Sequence, residues 1–172
     1  MILILNQKQK KKKINNEDVG IPTSFFFHKY TKQQNKHTMD TLKEILLYIW
    51  QLPQNLLGLI MLLFMKPYVS KEKYKGITYV ISKKMSGGIS LGNYIILSDS
   101  YRDKKKSQNT WDHEWGHTRD SRMFGPLYLI VIGLPSIIWA WMYGTVIPYT
   151  KNGYYKFYTE KRADRLGGVV RK

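Results

Sequence analysis

The chain has no cysteine among its 172 residues. Disulfides and thiolate metal sites are therefore excluded, and any metal must be held by His, Asp or Glu. Acidic residues are scarce, 12 against 28 Lys and Arg, giving a net charge of +16. Histidine is scarcer still, with four in the whole chain. No proline-free apolar run reaches the roughly 20 residues that a straight membrane-spanning helix needs. Nor is there a motif with base-stacking or groove-reading logic, so no specific nucleic-acid partner is expected despite the positive charge.

Much of that charge sits at one end. Residues 1–38 hold eight lysines against Glu17 and Asp18, and the remaining chain carries +10. The opening segment has its apolar residues before the run Lys10–Lys13, the reverse of a secretory signal. It is expected to be disordered and not part of the native protein, with a coherent single domain beginning at Met39 and running to residue 172.

Two apolar stretches follow, both interrupted. Ile45–Met65 is uncharged but broken at Gln51-Leu-Pro-Gln54, and Leu127–Ile147 is uncharged but broken at Gly133-Leu-Pro-Ser136. Proline removes a backbone donor and kinks or splits a helix. The first stretch reads as a kinked span or as two half-helices dipping into one leaflet. Between the stretches, Thr78–Ile81 and Ile89–Leu97 are rich in β-branched and aromatic residues, with Gly87-Gly88 between them, predicting a β-hairpin over 76–98. A helix is predicted from Asn109 or Thr110 to Gly125-Pro126, and a last one over Tyr154–Leu166. The expected class is α+β, mostly helical.

Inside the central helix lies His113-Glu114-Trp115-Gly116-His117, which fits H-E-x-x-H. Two of the four histidines and one of the five glutamates fall in these five positions. On a helix, His113 and His117 stand one turn apart on one face. Both neutral imidazoles can then reach one Zn²⁺ at about 2.0–2.1 Å. Glu114 sits beside the metal position, where it can take the proton of an attacking water and pass it to a leaving amine. A third protein ligand is needed. Asp120 is seven residues after His113, about 10.5 Å along the same helix, too far to meet the same ion. Glu160 is the better candidate, and Asp164 shares its face four residues on, able to accept the N–H of a ligand imidazole.

H-E-x-x-H followed by Glu160-Lys-Arg-Ala-Asp164 resembles the gluzincin metallopeptidases, and in particular their membrane-associated class with an E-x-x-A-D segment. The resemblance implies a zincin-like domain with His113, His117 and Glu160 as zinc ligands, Glu114 as general base and Asp164 behind a ligand imidazole. It implies a peptide or protein substrate.

This ligand set constrains topology. A single crossing by Leu127–Ile147 would put the histidines and Glu160 on opposite sides of a bilayer. The stretch is therefore expected to enter and return as a broken helical hairpin. Aromatic residues near the apolar stretches and flanking lysines suit a lipid headgroup region. The expectation is a membrane-associated zinc hydrolase with the motif on the cytoplasmic side. The alternative is a small cationic membrane protein without enzymatic activity, its metal structural or absent.

Overall fold

The computed structural model describes residues 23–74, 76–148 and 151–171. The chain divides into two compact units, Met1–Asp40 and Thr41–Lys172. In the first, the described residues belong to α1 (Thr23–Trp50), which continues into the second unit. Residues 23–38, expected to be disordered, are thus helical. The helix from Thr23 contains neither Gly nor Pro, the two residues that most disfavour a helix interior. Residues 1–22, covered by the same expectation, lie outside the described residues.

The second unit is α+β and is built on a small sheet. Its strands are β1 (Ser70–Tyr74), β2 (Ile77–Ser82), β3 (Gly88–Leu91) and β4 (Tyr94–Ser98), in the order β1-β2-β4-β3. The single hairpin expected over 76–98 is not what forms. β2 and β4 are parallel, with Val80 opposite Ile96 and Ile81 opposite Leu97. The true hairpins are β1–β2 and β3–β4, the latter turning at Gly92-Asn93. The stretch Ile89–Leu97 is therefore two strands. Residues 83–87 carry the chain past the slot that β4 fills, leaving β3 on the edge.

Alternation along the strands gives the sheet two apolar faces. Ile77, Tyr79, Ile81, Ile95 and Leu97 pack with Trp111 on one face, and Val80 and Ile96 pack with Leu62 on the other. Trp111 belongs to α3 (Gln108–Phe124), and Leu62 to α2 (Leu52–Phe64), so one helix covers each face. Each fully buried Ile or Leu in these clusters contributes about 1.5–3 kcal/mol.

Proline starts α2 rather than breaking it. Pro53 occupies the first turn, where its missing N–H has no intrahelical partner to lose. The chain bends by 82° between α1 and α2, so the first apolar stretch is two helices. The motif helix α3 has its N-cap two or three residues earlier than expected, at Ser107 rather than at Asn109 or Thr110. The Ser107 carbonyl accepts from Thr110 and Trp111, and no side chain caps the end. It stops at Gly125 as expected.

The second apolar stretch is not a broken hairpin. It forms a π-helical turn, Leu129–Gly133, running directly into α4 (Leu134–Thr145). Pro135 cannot donate to Val131, four residues back, and the wider π turn accommodates its ring. The Val131 carbonyl so released accepts instead from the Tyr158 hydroxyl. Tyr158 opens α6 (Tyr158–Gly167), reached through the short α5 (Lys151–Tyr154). Among the described residues no single helix is long and apolar enough to cross a membrane.

Candidate metal centre

Helices α3 and α6 cross more closely than side chains permit. A Cβ on Gly116 would overlap the carbonyl of Ala163, and one on Gly167 would overlap the carbonyl of Asp112. With hydrogen at both positions, the helices meet backbone to backbone. This approach sets the first turns of α6 against the motif face of α3.

His113, His117 and Glu160 converge there, all buried, with one ligand atom from each lying within 4.8 Å of the others. Glu160 Oε2 is 3.1 Å from His113 Nε2 and 3.9 Å from His117 Nε2. In a tetrahedral zinc site with bonds of about 2.0–2.1 Å, ligand atoms stand roughly 3.3 Å apart. Two imidazoles and a carboxylate thus present donors that could hold a metal ion, the two carboxylate–imidazole separations being of that order. Asp120 is not among them. It is buried and paired with Arg162.

Asp164 lies where the sequence placed it. Its Oδ1 is 2.7 Å from His113 Nδ1, which leaves Nε2 facing Glu160 and the metal position. Arg171 carries no periodic or motif signal that marks it as part of this group. Arg171 grips both oxygens of Asp164, at 2.6 Å from Nε and 2.7 Å from a terminal nitrogen, and lies over the ring of Tyr155. Burial disfavours the His113 imidazolium, but hydrogen bonds to Asp164 and Glu160 outweigh it and hold its pKa up to about 9. Burial likewise works against the Glu160 carboxylate, yet the two histidines hold its pKa far below the usual range. Asp164 is lowered too, against its burial, by His113 and Arg171. Burial raises Asp120 in spite of Arg162. The imidazolium and the carboxylates thus compensate one another, and an ion between the imidazoles and Glu160 would take the place of the proton held there.

Glu114 is buried on the same side of α3, over β3. Gly88 and Ser90 pair with Leu97 and Ile95, so all four share the sheet face that α3 covers. Ser90 Oγ lies 2.7 Å from Glu114 Oε2, and a Cβ at Gly88 would overlap Glu114 Oε1. The edge strand thus fixes one carboxylate oxygen and leaves room for the other.

The apolar helix also reaches the site. Ser136, which the sequence marked only as part of a helix break, donates to Glu160 Oε1 at 2.5 Å, leaving Oε2 for the imidazoles. The available signal was its chemistry: a hydroxyl in an apolar stretch usually has a specific partner. Ser136→Ala should leave a Glu160 oxygen short of a donor (Thr159 Oγ1 remains at 3.0 Å) and weaken metal affinity by roughly 10-fold, within the range for lost outer-shell partners. Competition with a zinc-chelating dye measures this, and unchanged affinity would show that Ser136 does not orient Glu160.

A cavity of about 440 Å³ opens over these groups, lined by β3, the motif face of α3, Ser136 and Ala140 of α4, Tyr154, Tyr155 and Glu160. Comparison with protein-family models, curated proteins and solved structures finds no match for this chain.

Proposed function

We propose that the protein is a zinc-dependent hydrolase and that it acts as a peptidase of gluzincin type. The observation that carries this reading is the convergence of His113, His117 and Glu160 beside Glu114 on the wall of one cavity. His113, His117 and Glu160 would hold the ion, and three protein ligands leave a position open for substrate or water. A bound Zn²⁺ supplies Lewis acidity, polarising a carbonyl and acidifying a water.

The protein's own groups do the rest. Glu114, held through Oε2 by Ser90, takes the proton of the attacking water on its carboxylate and returns it to the departing amine nitrogen. Asp164, held by Arg171, keeps the His113 proton on Nδ1, so that Nε2 is the donor atom. The edge strand suits an extended substrate. In the β3–β4 ladder Gly88 and Ser90 alternate with the hydrogen-bonded positions, so their backbone groups point to the open edge. The Ser90 carbonyl is taken by the Tyr128 hydroxyl, which among the described residues leaves the Ser90 N–H and both polar groups of Gly88 for a substrate strand.

Zinc content tests the reading. Purified protein should carry one zinc per chain by elemental analysis, and His117→Ala and Glu160→Ala should each lose it. Absence of zinc from wild-type protein reconstituted with the ion would favour the non-enzymatic alternative.

A further inference from the structure

We propose that α2 docks the chain on an anionic lipid surface, with its outward face in the acyl boundary and Lys66, Lys83 and Lys84 at the headgroups. The polarity of α2 is inverted. Its inward stripe is Gln54, Asn55, Gly58 and Leu62, at helical spacing and all buried, continuing from the buried Gln51 just before it. Its outward face is Leu56, Leu59, Ile60, Leu63 and Phe64, the last two 65% and 67% exposed. A surface helix in water shows the opposite arrangement.

The inward amides have specific work. Gln54 donates to Ser121 Oγ and the Gly125 carbonyl, and Asn55 accepts from the Asn93 N–H and donates to the Tyr48 carbonyl. This polar seam ties α2 to the end of α3 and to the β3–β4 turn, so the helix cannot roll to hide its leucines. The outer face needs an apolar environment that tolerates a rim of cations. Lys84 Nζ sits on the Phe64 carbonyl at the C-terminal end of that face, and Lys66 and Lys83 are exposed beside it in sequence. Lysines bordering an apolar helical face match an anionic bilayer, where apolar burial and charge attraction add. A second copy of this chain, with its own excess of positive charge, matches the rim poorly.

The place of this face bears on the cavity. Met85 packs on the Leu62 cluster beneath α2 and also lines the cavity over the metal centre, together with Ser86 and Gly87. A bilayer at α2 would then lie beside one rim of that cavity. If the hydrolase reading holds, its substrate is a peptide segment presented at a lipid surface.

The test is sedimentation of the 172-residue chain with vesicles of phosphatidylcholine, alone or with one-third phosphatidylglycerol. Wild type should bind the anionic vesicles at least about 10-fold more tightly, and added salt should weaken this. Combined Leu56→Gln, Leu63→Gln and Phe64→Gln should lower binding to anionic vesicles at least about 10-fold while thermal melting shows a folded protein. Lys66→Gln, Lys83→Gln and Lys84→Gln should each cost roughly fivefold on anionic vesicles only. His117→Ala should bind as wild type does, which separates this proposal from the metal centre. Full binding by the apolar-face variant overturns the proposal. So does a lipid-free dimer that the same variant dissociates.

Discussion

Replacing Glu114 by glutamine is expected to lower hydrolysis of a quenched-fluorescence peptide library by about 10²–10⁴-fold, the usual contribution of a positioned general base. Zinc content should not change, because Glu114 is not in the His113–His117–Glu160 group. The variant should also fold. An amide oxygen can still accept from Ser90 Oγ, and Gln has the size of Glu, so the crowded position against Gly88 is kept. What is lost is the ability to accept and return a proton. This combination, with zinc and melting temperature retained and turnover gone, separates a general base from a structural carboxylate. Full activity in the zinc-loaded variant would show that another group moves the proton.

The parts of the site that share a helix were legible in the sequence. His113, Glu114 and His117 are fixed by helical spacing, as are Glu160 and Asp164. Choosing Glu160 over Asp120 needed only the rise per residue. What holds these side chains from outside their own helices was not legible. Ser136, Ser90 and Arg171 act across 24, 24 and 7 residues of chain, on Glu160, Glu114 and Asp164, and a hydroxyl or guanidinium carries no periodic signal of its partner.

Strand order was not legible for a related reason. Thr78–Ile81 and Ile89–Leu97 announce strands but not their order. A parallel β2–β4 pair with β3 outside it depends on which strand edge is free when the chain returns. In the second apolar stretch the local effect of Pro135, the loss of one backbone donor, does not end the helix. The π turn and the Tyr158 hydroxyl on the Val131 carbonyl are what let α4 continue past Pro135.

The glycine in the middle of the motif is the position where sequence said least and structure says most. Gly116 is only a variable letter in H-E-x-x-H, and glycine in a helix interior is normally a cost of about 0.5–1 kcal/mol relative to alanine. On propensity alone, Gly116→Ala should therefore stabilise α3. The crossing predicts the opposite. The added methyl would run into the Ala163 carbonyl, which is backbone and cannot rotate away. α6 must then move out, and Glu160 moves with it, away from two imidazoles whose nitrogens it now meets at 3.1 and 3.9 Å. Overpacking commonly costs about 1–3 kcal/mol, and backbone against backbone should reach the upper end or beyond. A shift of even an ångström also takes Glu160 outside bonding distance of a shared ion, so zinc should be lost together with stability. Gly87→Ala is the control, since a Cβ there meets nothing within 4 Å and should change stability by less than about 0.5 kcal/mol. Thermal melting and zinc content of the two variants decide the matter. If Gly116→Ala matches the control in both, the α3–α6 crossing is looser than described, and it does not set the metal geometry.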